Sequence, residues 1–190
     1  MLLSLALAPE VVAASRTGDS GMDETEFLGF YRDTAPRLHA FLCRCLGDAA
    51  RAEDLVQESY LRLLRSGLEA QGPQHRERYL FRIGANLARD HFRSPRRREV
   101  ALDERAPEPR APVAEDAGEG ADIRGALAEL SPRDRAMLWL AYVEGRDHAE
   151  IGAILGLRTA SLKSMLSRAR ARLAAALRAR GYCPVGEERR

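Results

Sequence analysis

The sequence predicts an all-α chain built from two small helical domains on a flexible tether. Three observations carry this reading. Ala, Leu, Arg and Glu dominate while aromatics are only 6%, a composition that favours helix over strand. Apolar residues recur at helical spacing in two blocks, from about Asp23 to Arg93 and from about Asp122 to Arg180. Between them, Ser94 to Gly120 has no apolar periodicity, and Pro95, Pro107, Pro109 and Pro112 exclude a regular helix. The expected organisation is a tail over 1–22, a domain over 23–94, a linker over 95–121, a domain over 122–181 and a short tail over 182–190.

The first block opens with Phe27, Tyr31, Leu38, Phe41, Leu42 and Cys45 on one helical stripe, with Pro36 expected to kink or split the helix. Gly47 is its stop and Asp48 the cap of the next helix. That helix turns Leu55, Val56, Ser59, Tyr60, Leu63 and Leu64 inward and ends at Ser66-Gly67. After a loop with Gly72 and Pro73, a third helix runs from about Glu77 to Arg93, with Leu80, Ile83 and Leu87 as its seam.

In the second block, Ser131-Pro132-Arg133-Asp134 supplies an N-cap, a proline at the first helical position and an acid at the third. The helix carries Met137, Leu138, Leu140, Ala141 and Val143 to Gly145. Asp147 and Glu150 form a capping-box pattern ahead of a short helix, His148 to Leu155. Gly156-Leu157-Arg158 turns the chain, and Thr159 is expected to cap a long helix reaching about Arg180.

A short helix, a tight glycine turn and a longer helix make a helix-turn-helix, with Ala149, Ile151, Ile154, Leu157, Leu162 and Leu166 as its expected core. The second helix then enters the major groove, presenting Ser161, Lys163, Ser164, Ser167 and Arg168 to base edges and phosphates. Net charge is only +2, but from Ile151 to Gly186 there is no acidic residue. That stretch holds Arg158, Lys163, Arg168, Arg170, Arg172, Arg178 and Arg180, a one-sign field suited to a polyanion. In the first block, Arg82, Asn86, Arg89 and Arg93 form a polar stripe opposite the apolar seam. By itself this stripe reads more readily as a solvated helix face. Tyr79, Phe81, His91 and Phe92 nearby could stack on unpaired bases. On the preceding helix, Asp54, Gln57, Glu58 and Leu61 share the outward face, which composition alone reads as solvent.

Four runs resemble the sigma-70 family of transcription initiation factors, in its extracytoplasmic-function (ECF) subfamily. Ala52 to Arg62 (AEDLVQESYLR) is similar to the polymerase-binding helix of sigma domain two, and Tyr79 to Asp90 (YLFRIGANLARD) to the helix after it. Leu130 to Arg135 with Tyr142-Val143-Glu144-Gly145 resembles the start of sigma domain four. Ala149 to Leu157 and Leu162 to Arg170 resemble its helix-turn-helix. The resemblance implies that Asp54, Gln57, Glu58 and Leu61 bind core RNA polymerase. It implies that Arg82, Asn86, Arg89, Asp90 and Arg93, with the loop from Gly67 to Gln74, act on the −10 element of promoter DNA. Arg158, Ser161, Lys163, Ser164, Ser167 and Arg168 would read the −35 element. An anti-sigma factor is the implied regulatory partner. Departures fall at Tyr79, where the family often has Trp, and at Asp147-His148, Arg158 and Met165, so the −35 preference does not carry over.

Other function classes find less support. No nucleophile elbow, phosphate loop, zincin helix or paired catalytic carboxylates occur, so no enzyme and no cofactor is expected. A stand-alone helix-turn-helix regulator is the alternative, and it has no use for the face at Asp54 to Leu61. The three cysteines, Cys43, Cys45 and Cys183, do not form a disulfide framework and fit a reducing cytoplasm. His39, Cys43 and Cys45 could ligate zinc, but Cys43 and Cys45 point about 200° apart on a helix. One core cysteine, one surface cysteine and no metal are expected. Met1 to Ala14 is apolar but lacks a basic start and is broken by Pro9 and Glu10. It reads as a disordered tail or an early start ahead of Met22, with a signal peptide as the alternative and no membrane insertion expected.

Overall fold

The computed structural model describes residues 22–67, 72–93 and 119–182. The described residues form seven α-helices and no strand. They are α1 (Glu24–Leu46), α2 (Ala49–Arg65), α3 (Pro73–Arg93), α4 (Glu119–Ala128), α5 (Pro132–Tyr142), α6 (His148–Leu155) and α7 (Thr159–Ala179). The expected N-terminal tail up to Gly21, the centre of the loop after Gly67, the linker from Ser94 to Gly118 and the tail with Cys183 lie outside the described residues.

The local punctuation acts as the sequence predicts. Gly47 ends α1 in the left-handed region, with φ 73°, a conformation that a side chain would strain. One residue on, the Asp48 carboxylate accepts from the Arg51 amide and starts α2. Ser131 caps α5 through the Asp134 amide, and Asp147 with Glu150 closes the expected capping box on α6.

Five expectations need correction. Pro36 does not split its helix, for α1 runs through it as one element. α3 begins at Pro73 rather than near Glu77, because the first helical turn has no need of the N–H that proline lacks. Thr159 is the first residue of α7 and not its cap; Arg158 holds that position and makes no side-chain cap bond. Ala149 faces solvent, outside the helix-turn-helix core. Phe81 is fully buried and therefore cannot stack on a base.

α1, α2 and α3 form the first bundle. Its core holds Phe27, Leu38, Phe41, Leu42, Val56, Tyr60, Leu63, Leu80 and Phe81, together with Met22, which sequence alone leaves in the tail. Thr34 donates to the Phe30 carbonyl and pairs with the Tyr60 hydroxyl at 2.6 Å, so the buried hydroxyls of α1 and α2 satisfy each other. Burial pushes the Tyr60 phenol well above its ordinary pKa. Arg76, almost wholly buried, reaches from α3 to Glu26 on α1 at 2.5 Å and lies over the Phe30 ring.

α4 to α7 form the second bundle around Met137, Leu140, Ile151, Ile154, Leu162 and Leu166. α7 packs on α4, α5 and α6, so the long basic helix is held on three sides. Asp134, buried on α5, binds Arg172 of α7 at 2.6 Å. The two bundles are not apart. α1 packs on α5 and α3 on α6, and their cores form one continuous cluster.

Candidate polymerase and nucleic-acid surfaces

Three surfaces hold the residues singled out in the sequence. On α2, Asp54 is exposed, while Gln57, Glu58 and Leu61 are half-buried. The periodicity fixes this: with Leu55, Val56, Ser59, Tyr60 and Leu63 buried, positions 54, 57, 58 and 61 must face out. Arg51 pairs with Asp54 at 3.2 Å and Arg62 with Glu58 at 2.6 Å, so the acidic face is braced along its own helix. Leu61 lies at the rim of the core with part of its surface open, an apolar spot inside a polar face.

On α3, Arg82, Arg89, Asp90 and Arg93 are exposed and Asn86 is half-buried. Arg89 donates to the Asn86 side-chain oxygen at 2.9 Å, which orients the amide on the stripe. His91 and Phe92 sit at the end of the same helix with their rings edge-on, 5.7 Å apart. Of the aromatics expected to serve bases, Tyr79, His91 and Phe92 keep partial exposure.

On α7 and the turn before it, Arg158, Ser161, Lys163, Ser164, Ser167 and Arg168 are all exposed. Leu162 and Leu166 anchor the opposite side in the core. The turn is tight: Leu157 donates its amide to the Gly152 carbonyl at 2.9 Å, across Gly156 with φ 66°. A Cβ on Gly152 would stand 2.9 Å from the Leu157 carbonyl oxygen, so only glycine permits this closeness of turn and helix.

Sequence reasoning missed what joins these surfaces. Between α3 and the helix-turn-helix lies a mostly apolar cavity of about 460 Å³. Asn86, Arg89 and Arg93 line one side, and Leu155, Gly156 and Leu157 the other. A signal for a second neighbour was present on α5. Met137-Leu138-Trp139-Leu140-Ala141 is apolar all round, and a helix that is apolar all round is covered on more than one side.

The cysteines settle by geometry. Cys45 is buried in the core, where loss of water pushes its thiol up to about 12. Cys43 is half-buried beside His39, with Sγ 3.6 Å from Nε2, and burial raises its thiol too despite Arg44. Cys45 points away from that pair. Among the described residues no three His, Cys, Asp or Glu side chains gather as metal ligands. Among the described residues, too, no helix is long and apolar enough to cross a membrane.

The fold and its surfaces define a protein with two linked helical units, one of them a helix-turn-helix on a basic helix. Two family models match these units in order: Sigma-70 region 2 over residues 30–98 and Sigma-70, region 4 over residues 121–173. The chain belongs to the ECF RNA polymerase sigma factors of the sigma-70 family. It is 36% identical to the ECF sigma factor SigE of Mycolicibacterium smegmatis over 75% of this chain, and spans 58% of that protein's length. It is 33% identical to the sigma factor CarQ of Myxococcus xanthus, covering 75% of this chain and 82% of CarQ. It also matches the solved sigma factor RpoE of Bartonella quintana in complex with the anti-sigma factor NepR. That match has TM-score 0.67 and 27% identity, over 80% of this chain and 96% of that one.

Proposed function

We propose that this sigma factor docks on core RNA polymerase through Asp54, Gln57, Glu58 and Leu61 and engages promoter DNA through two separate faces. The single observation that supports this reading is that one chain presents an acidic face with a half-open leucine on α2 and an exposed face of serines and cations on α7. A free-standing DNA-binding regulator needs only the second. The stripe Arg82, Asn86, Arg89, Asp90 and Arg93 serves the −10 element. There, unpaired bases need stacking partners and polar groups on a rigid helix. Arg158, Ser161, Lys163, Ser164, Ser167 and Arg168 serve the −35 element as duplex, with the acid-free α7 supplying the attraction to phosphate. The chain works in the cytoplasm as a binding subunit without catalytic chemistry of its own. An anti-sigma factor restrains it, a role supported by the RpoE–NepR likeness.

Run-off transcription with core enzyme, on genomic fragments that include the gene's own promoter, tests the reading. Initiation is expected to require the protein. Asp54→Arg and Leu61→Arg are expected to lower run-off product at least tenfold while duplex binding by the isolated protein stays within twofold. Duplex binding without any core-dependent initiation would instead establish the stand-alone regulator.

A further inference from the structure

The cations between the two bundles fall into two sets. Arg37 of α1 binds Glu144 of the second bundle and, at 2.8 Å, Glu77 of α3, and Arg146 also binds Glu77. Those charges are matched. Around the apolar cavity the cations are not. Arg89 and Arg93 of α3 and Arg133 of α5 stand along it. Among the described residues, Arg89 donates to the Asn86 side chain, Arg133 reaches the Met165 sulfur at 3.6 Å, and none of the three pairs with a carboxylate. No acidic side chain among the described residues lines the cavity.

The inside has the opposite character. Phe41, Cys45 and Ala136, all buried, make its floor, and burial keeps the Cys45 thiol protonated and uncharged. Phe92, Leu155 and Leu157 form the walls and are only half-buried, so apolar surface stays open to the cavity. Water held there would meet few polar partners, and a void of this size is unusual in a close-packed interior. At about 460 Å³ the cavity lies within the range of about 300–1,000 Å³ that small-molecule sites occupy. Apolar walls with a few convergent polar groups are also the usual composition of such sites.

The two characters together select a ligand. An uncharged apolar molecule would cover the walls and leave the guanidiniums unmet. An inorganic anion would meet the guanidiniums and leave the walls bare. All three arginines are exposed, which puts the charge at the rim and the apolar surface inside. Arg89 leans across the mouth: a Cβ at Gly156 on the facing wall would stand 4.0 Å from its Nη1. Arg93 and Arg133 belong to different bundles, so a head group at the rim is approached from both sides. The planar fork of a guanidinium suits a carboxylate and a phosphate alike.

We propose that the cavity between α3, α5 and the helix-turn-helix turn binds a small amphiphilic anion, an apolar chain of medium length whose one carboxylate or phosphate head sits at Arg89, Arg93 and Arg133. The site stands on the cavity and its unmatched cations, whatever DNA the chain reads. Isothermal titration of the full chain with octanoate, octyl phosphate and octanol, all below micelle formation, tests it. At least one of the two anions should bind one-to-one and at least about tenfold more tightly than octanol, as charge-assisted hydrogen bonds to the head require. The tighter anion identifies the head. Its binding should carry a negative heat-capacity change from the buried chain. Arg93→Gln and Arg133→Gln should each weaken it at least about threefold, a loss felt from both bundles. Ala85→Leu, which fills the cavity from α3, should weaken it at least about tenfold while circular dichroism shows wild-type helix content. Leu155→Phe fills the cavity from the opposite wall and replaces Ala85→Leu should that variant fail to fold. Octanol binding as tightly as either anion would overturn the anionic head. Binding untouched by both filling variants would put the ligand elsewhere and overturn the site, as would no binding of any probe at about 1 mM.

Discussion

At Gly84 of α3 side chains of both α1 and α2 crowd the backbone. A Cβ built there stands 2.9 Å from Leu38 Cδ1 and 3.7 Å from Leu42 Cδ2, and both leucines are fully buried. Neither has room to withdraw, so Gly84→Ala overpacks a filled core, at a cost of about 1–3 kcal/mol. The better helix propensity of alanine offsets about 1 kcal/mol of that. A net loss of up to about 2 kcal/mol should lower the thermal midpoint by up to roughly 8 °C in a chain of this size. Gly29 on α1 is the control: nothing lies within 4 Å of its Cβ position, so Gly29→Ala should raise the midpoint instead. Thermal unfolding followed by circular dichroism reads both. A Gly84→Ala midpoint at or above wild type would mean that Leu38 yields. The residue scale is also where one reading from sequence failed. Phe81 stands among the stripe aromatics, yet its ring is a platform for Arg37 and Arg146 from elements far along the chain.

At the scale of elements, what was legible in the sequence was local. Gly47-Asp48, Ser131-Pro132 and Asp147 with Glu150 each act within four residues, so their spacing alone places helix ends. The outward faces of α2 and α7 were legible for the same reason, since a buried stripe determines what remains outside. The start of α3 was not, because proline serves a loop and a first helical turn equally well. The helix-turn-helix depends on one such local device. At Gly152 the backbone of the turn passes over α6, with the Leu157 oxygen 2.9 Å and Thr159 Oγ1 3.2 Å from a Cβ position. Gly152→Ala therefore pushes a backbone carbonyl, not a flexible side-chain end, and the turn must lift and re-aim α7. Duplex promoter affinity should fall at least tenfold while total helix content stays near wild type. Electrophoretic mobility shift on the promoter fragment defined by transcription, with circular dichroism alongside, checks this. Retained affinity would show that α7 keeps its aim without the close turn.

At the scale of the whole molecule, the tertiary partners of charges were hidden from the sequence. Arg37, Glu77, Glu144 and Arg146 have no common period, because they come from three separate stretches of chain. The basic field of α7 shows the same effect in a form that can be measured. Counting cations along the acid-free stretch treats Arg168 and Arg172 alike. In the fold they differ. Both are exposed, but Arg172 is bound to the buried Asp134 at 2.6 Å, whereas Arg168 lies on the face proposed to read bases. Each cation that neutralises a phosphate releases counterions, and the slope of log affinity against log salt steepens by about 0.9 per phosphate met. Arg168→Ala should therefore make the slope for duplex binding shallower by about one. Arg172→Ala should leave the slope within about 0.3 of wild type, since its charge is already met by Asp134. It should lower thermal stability instead, because Asp134 is left buried and unpaired. Titration of a promoter duplex from about 50 to 200 mM salt resolves the two cases. Equal slopes for the two variants would mean that charge number alone governs the field of α7. Unequal slopes in the stated order would mean that the fold selects, from a uniformly basic helix, the cations that DNA can use.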